Sequence, residues 1–262
     1  MKQLNSGNKY LAAILLSALS SSAFAHVNIA PETALTAGEK PREYVEGSRA
    51  YIQLNLPEDC ATEDRSQRFP IASTVVILPS GTAISEDFYT TGRGSDELFG
   101  ANIMMRSKPR ASANWIQVGV ETGDVGAFGS RATATDTRVL KWLGGRIKTG
   151  QVYDNAEFVT SLPKIKAESC VKKVRVEIPT VTYCTDGYSR AWIGTPNSRF
   201  QSSPKQVVEE SYEPYFYVVR AKSNPLSAAC GDGEEITVRP TDEDINQYAG
   251  DWIQESPNNP YN

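Results

Sequence analysis

The sequence is almost devoid of histidine, because His26 is the only one among 262 residues. It contains no CxxC spacing, so zinc-ribbon and thioredoxin-like redox sites have no support. Neither a GxGxxG loop nor a P-loop is present, and there is no internal repeat or heptad run. These absences argue against the common zinc-finger, dinucleotide-binding and coiled-coil classes.

Long apolar runs are missing as well. The run at residues 11–19 is much shorter than the about 20 residues that a membrane-spanning helix needs. Two lysines precede this run and the small-x-small motif Ala-Phe-Ala follows it, as in a secretory signal peptide. We therefore predict that residues 1–25 are removed by cleavage between Ala25 and His26. The mature protein is expected in the periplasm or secreted, without a membrane span.

Positive charge is also scarce. The formal net charge is −4, and it becomes −6 when the two lysines of the signal are removed. This balance argues against nucleic acid or an anionic membrane surface as a partner. The chain has four cysteines: Cys60, Cys170, Cys184 and Cys230. An even number in an exported chain predicts two disulfide bonds, for which three pairings are possible.

Short strand-like segments dominate what is present. In them, β-branched and aromatic residues alternate with polar ones between Gly, Pro, Asp or Asn. These segments are residues 26–30, 49–56, 74–78, 115–120, 137–143, 156–162, 174–178, 190–193, 215–219 and 235–239. No segment predicts an amphipathic helix of three turns. The pattern predicts an all-β, antiparallel sandwich, with an irregular insertion at 84–112 and a disordered end to the chain.

The position of His26 is the main functional signal. Cleavage after Ala25 would make it the first residue of the mature chain, where its α-amine and imidazole Nδ1 can chelate one metal ion. An α-amine has a pKa of about 7.7 and is easily deprotonated for a metal. Nitrogen donors of this kind bind Cu(II) most tightly among the common divalent ions.

A carboxylate is expected to complete this site. If residues 26–30 and 49–56 pair as antiparallel strands, the start of the first lies beside the end of the second. Glu58 would then approach His26, with Asp59 as the second choice. Glu32 lies at the other end of the first strand, roughly 20 Å away at about 3.3 Å per residue, and is the weakest of the three.

An ordered series of short motifs carries a family resemblance. The series comprises His26-Val27-Asn28-Ile29-Ala30-Pro31, Leu56-Pro57-Glu58-Asp59-Cys60, Trp142-Leu143-Gly144-Gly145, Tyr183-Cys184-Thr185-Asp186-Gly187 and Ala191-Trp192-Ile193-Gly194. Over residues 26–195 it resembles the YcnI-like copper-binding domain family. The chain departs from the family pattern by the insertion at 84–112, by the absence of a C-terminal membrane helix, and by an extension at 196–262.

The resemblance implies an immunoglobulin-like sandwich at 26–195 that binds Cu(II) through the terminal histidine and an acidic residue, with Trp192 covering the metal. It also implies a role in copper homeostasis or delivery, with a membrane copper transporter or another copper carrier as a partner. Because Cys60 and Cys184 accompany its motifs, we pair them with each other and pair Cys170 with Cys230.

Two other functions remain open. Copper monooxygenases that use an N-terminal histidine add a second histidine, which this chain lacks, so we predict that it is not an enzyme. His26 is also badly placed to act as the base of a Ser-His-Asp triad, because it would be a metal ligand at the end of the chain. A structural or adhesive sandwich that binds no metal is the other alternative.

Overall fold

The computed structural model describes residues 28–29, 42–56, 60–61, 66–79, 98–99, 107–123, 136–147, 154–198, 200–203, 205–209 and 213–250. Its strands are β1 (Asn28–Ile29), β2 (Glu43–Val45), β3 (Arg49–Leu56), β4 (Cys60–Ala61), β5 (Arg68–Phe69), β6 (Ile71–Ile77), β7 (Leu98–Phe99), β8 (Lys108–Pro109), β9 (Gln117–Gly123), β10 (Asp136–Ile147), β11 (Asp154–Ser161), β12 (Lys164–Ile165), β13 (Val171–Glu177), β14 (Thr180–Cys184), β15 (Ser189–Trp192), β16 (Gln206–Glu209), β17 (Tyr215–Val219) and β18 (Glu234–Val238). Short 3-10 turns cover Thr185–Gly187 and Ala228–Cys230, and α1 covers Asp242–Gly250.

Three sheets make up the body of the molecule. The largest has six strands in the order β16-β15-β14-β6-β10-β9. Two four-stranded sheets follow the orders β1-β3-β11-β8 and β18-β13-β17-β2. All three contribute buried side chains to one continuous core, including Leu54, Leu140 and Val176. The predicted all-β sandwich is therefore confirmed.

Alternating burial explains why most strands were visible in the sequence. In β3 every second residue is buried, from Ala50 to Leu56, because only one face of this strand packs against the core. In β14 all five residues are buried, so no alternation marks it. The reason is that the six-stranded sheet is covered on both faces.

The second face of that sheet has its own apolar cluster. Val75, Val139 and Val181 pack there with Ile245 and Ala249 of α1. Thr241 caps the helix, because its hydroxyl accepts a hydrogen bond from the Asp244 amide at 3.1 Å. The sequence analysis missed α1, although the capping threonine and the apolar pair four residues apart were a signal for it.

Three strands of the C-terminal extension, residues 196–262, belong to the main sheets of the sandwich. β17 lies between β13 and β2, while β16 and β18 extend two of the sheets. Three strand pairs are parallel, namely β13 with β18, β15 with β16, and β17 with β2, and each includes a strand of the extension. β16, β17 and β18 thus lie at 206–238 and belong to the same sheets as strands that precede residue 196. The end of the chain after Gly250 lies outside the described residues.

Candidate functional site

The predicted metal ligands lie mostly outside the part of the chain that the structure describes. His26 and Glu58 belong to these residues, as do Asp59 and Glu32, the alternatives to Glu58. Within the described ranges, no group of three or more His, Cys, Asp or Glu side chains could hold a metal ion. The structure therefore bears on the site through the strands that lead to it and through Trp192.

The strands that lead to the site are paired as predicted. β1 is antiparallel to β3, with Asn28 opposite Asn55 and Ile29 opposite Leu54. On the other side of β3, β11 places Asn155 opposite Asn55 and Asp154 opposite Leu56. The three strands thus lie side by side at the end of the sheet where β1 and β11 begin and β3 ends.

One described carboxylate lies at this end of the sheet. Asp154 accepts a hydrogen bond from the Asn114 side chain at 3.0 Å and one from the Asn155 amide at 2.8 Å. β11 is two strands from β1, which corresponds to about 9.6 Å at the usual strand spacing of about 4.8 Å. These two hydrogen bonds fix the orientation of the Asp154 carboxylate at the start of β11.

Trp192 is completely buried in the main core on β15. Its ring lies 5.7 Å from the guanidinium carbon of Arg190. Its indole N–H has no hydrogen-bond acceptor among the described residues. A buried donor without an acceptor is uncommon in folded proteins. The burial of Trp192 matches a core tryptophan, and its proposed role over a metal stays a prediction.

Polar side chains lie beside Trp192 on the inner face of the six-stranded sheet. Thr74 is opposite Thr182, and Thr182 is opposite Arg190 on the next strand. Both threonines are buried, and the neighbouring Val75 and Val181 belong to the cluster on the outer face, so the threonines point inward. Within the described part of the chain, neither threonine hydroxyl has a hydrogen-bond partner.

We call Thr74, Thr182, Arg190 and Trp192 the inner polar row. It offers hydroxyl, indole and guanidinium donors, so it suits an acceptor such as a water molecule or a carboxylate oxygen. It supplies no usual ligand for Cu(II), so it fits a metal site only as a source of hydrogen bonds. Sequence analysis missed the threonines because β-branched residues in a strand give no sign of a polar role.

One predicted disulfide is present. Cys170 and Cys230 are bonded, with Cα atoms 5.2 Å apart. Cys184 is also disulfide-bonded. The side chain of Cys60 lies outside the described residues, so the bridge from Cys60 to Cys184 stays a prediction.

Comparison with known proteins assigns no family to the chain. No family model matches the chain, and no curated protein does either. Three solved chains match, among them an uncharacterized protein from Nocardia farcinica with an immunoglobulin-like fold. It shares 11% identity with a TM-score of 0.39, over 75% of this chain and 99% of that one. No described helix is long and apolar enough to cross a membrane.

Proposed function

We propose that this protein is an exported, mononuclear Cu(II)-binding protein of copper homeostasis or delivery. The metal is held by the α-amine and imidazole of His26 and by the Glu58 carboxylate. The ion is cargo that the protein passes to another copper carrier or to a membrane copper transporter. This proposal follows from one histidine at a predicted cleavage site and from the resemblance to the YcnI-like family.

The register of β1 against β3 is the observation that supports this proposal best. Asn28 is paired with Asn55 and Ile29 with Leu54. Two further steps in the same register bring residue 26 opposite residue 57, which is next to Glu58. In an antiparallel pair, directly opposite residues have Cβ atoms about 5 Å apart and point to the same face of the sheet. The Glu58 carboxylate would therefore reach the metal if the chain turns at residue 57, just after β3 ends at Leu56, whereas a continued strand would place Asp59 on the face of His26. A parallel pairing, or a shift of several residues, would have separated the two proposed ligands.

The inner polar row is compatible with such a site near Trp192. Its donors suit an anionic oxygen, and the second oxygen of a metal-bound carboxylate is one such acceptor. Arg190 and Trp192 would then orient the carboxylate without contacting the metal. The negative net charge of the chain agrees with a cationic cargo and argues against nucleic acid as a partner.

Electron paramagnetic resonance of the copper-loaded mature protein is the direct test. Mass spectrometry first checks that His26 is the N-terminal residue. We expect one Cu(II) per chain, bound more tightly than Zn(II) or Ni(II), with hyperfine coupling from two nitrogens of His26. The matched control is His26→Ala, which keeps the free α-amine but removes the imidazole, so that the chelate cannot form and tight binding should be abolished.

Three other outcomes would each contradict a part of this proposal. If the His26→Ala protein binds copper with full affinity, the terminal chelate is wrong. If neither protein binds copper, the chain is a structural or adhesive sandwich. If the loaded protein oxidises a reductant catalytically in the presence of oxygen, the enzymatic alternative replaces the delivery function.

A further inference from the structure

Two carboxyl groups share one arginine where the extension meets the sandwich. Arg175 on β13 has its Nε 2.8 Å from Glu177 Oε1, and its Nη2 donates to Glu213 Oε1 at 3.3 Å. The Nε contact is an ion pair, because the N–H direction misses the oxygen. This side of a guanidinium usually binds the two oxygens of a single carboxylate. In this protein the two oxygens on that side of Arg175 come from different residues, one from Glu177 and one from Glu213. The two carboxyl groups therefore lie against each other.

Both glutamates are buried, with exposed fractions of 6% for Glu177 and 5% for Glu213. Glu213 packs directly on the backbone of Gly194, where a Cβ atom would lie 1.5 Å from Glu213 Oε2. Arg239, which follows β18, donates hydrogen bonds to the carbonyls of Ile193 and Gly194. The pair therefore joins three parts of the chain: the end of β13, the end of β15 and the extension.

Burial and the neighbouring carboxyl together favour the neutral form of one glutamate. Burial is the main cause that raises the pKa of Glu177, to about 8, and the hydrogen bond and negative charge of Glu213 add to it. The positive charges of Arg175 and Arg239 oppose this shift only in part. The charged and titratable groups around Glu177 are Arg175 on its own strand, Glu213 before β17, Tyr215 on β17, and Arg239 after β18 with its ion-pair partner Asp242.

We propose that Glu177 and Glu213 form a proton-operated clasp that fastens the extension to the sandwich, closed while the pair shares a proton and loosened when that proton is lost. Two buried like charges at hydrogen-bond distance repel each other, so deprotonation favours their separation. Separation moves Glu213 away from Gly194 and from the end of β13. This loosens β17, which begins two residues after Glu213, and its pairing with β13.

The sign of the pH effect follows from proton binding. Between the ordinary glutamate pKa of 4.5 and about 8, the folded chain keeps a proton on Glu177 that the unfolded chain has released. Stability rises with pH only where the unfolded state binds more protons, so the contribution of the clasp falls across this window. It is fully present below pH 4.5 and is lost as the pH passes about 8.

Hydrogen exchange of the full mature chain, followed by mass spectrometry, tests this proposal. Protection factors, which correct for the intrinsic pH dependence of exchange, are compared at about pH 6 and about pH 9.5. In the wild type we expect peptides of β17 and β18 to lose protection by at least about tenfold. Peptides of β3 and β11, which do not contact the pair, serve as the internal reference and should change far less.

Two variants assign the effect to the carboxyl pair. Glu177→Gln keeps a neutral hydrogen-bonding group, so the loss of protection at high pH should disappear, and Glu213→Gln should remove it as well. Glu168→Gln is the matched control, because Glu168 is an exposed glutamate in the loop before β13, and it should keep the wild-type response. The clasp is refuted if the wild type shows no local loss, or if both pair variants keep the wild-type pH dependence.

Discussion

At the scale of single residues, Glu58 is the proposed carboxylate ligand that adds to the chelate of His26. A carboxylate adds an equatorial oxygen to the two nitrogens of His26, whereas an amide is a much weaker ligand. We expect Glu58→Gln to weaken Cu(II) binding at least about tenfold, or about 1.4 kcal/mol, as measured by competition titration with a chelator of known affinity. The matched control is Asp59→Asn, which should bind normally.

The two carboxylate variants also report on the register of the strands. If Asp59→Asn loses affinity and Glu58→Gln does not, Asp59 is the ligand and the strand continues past Leu56 in the same register, which places the Asp59 side chain on the face of His26. If both variants bind normally, no carboxylate of this turn is a ligand, and only the chelate of His26 remains. Neither outcome affects the clasp of Glu177 and Glu213, which involves other strands.

At the scale of elements, Gly194 limits how β15 ends. Its φ of +63° lies in the left-handed region, and a side chain there would overlap Glu213, which is buried and bound to Arg175. Gly187 has a similar φ of +74°, but a Cβ atom there would meet nothing within 4 Å. This pair of glycines separates backbone strain from steric overlap.

We expect Gly194→Ala to lower the free energy of unfolding by about 3 kcal/mol, because left-handed strain of about 1 kcal/mol adds to overpacking of about 2 kcal/mol. Gly187→Ala should lose only the strain, about 1 kcal/mol. Urea denaturation followed by tryptophan fluorescence measures both. Equal losses in the two variants would show that Glu213 moves aside without cost.

At the scale of the whole molecule, strands of the extension lie within the sheets of the sandwich. β17 from the extension separates β13 from β2, and Phe216 and Val218 are buried in the main core. A chain of residues 26–195 lacks both β17 and β18 and therefore exposes both edges of β13. We therefore expect it to show no cooperative unfolding by circular dichroism, while a chain of residues 26–250 unfolds like the full mature protein.

The opposite result would change the description of the molecule. Cooperative unfolding of residues 26–195 would show that the first part folds alone and that the extension is an appendage. The bond between Cys170 and Cys230 argues against this, since it ties the start of β13 to the segment before β18. A disulfide of this loop length stabilises a fold by about 4 kcal/mol in the chain-entropy estimate.

Much of the sandwich could be predicted from local patterns. The strands at 49–56 and 215–219 appear with the bounds that alternation indicated, because each has one face on the core and one toward solvent. β14 was missed because both of its faces are covered, and β16 because its four residues carry little pattern. A strand of two apolar faces gives the same composition as any short buried segment.

The sequence by itself determined the all-β class and the candidate role of His26, since these depend on local alternation and on one residue beside a cleavage motif, while the pairing of β1 with β3 was only assumed from the sequence and was established by the structure. Only the tertiary structure decided that Glu177 and Glu213 meet, that Thr74 and Thr182 face the core beside Trp192, and that β17 enters the sheet between β13 and β2. These contacts join segments far apart along the chain. Which residues meet in such contacts depends on how the sheets pack on one another, and a local pattern of side chains does not predict that packing.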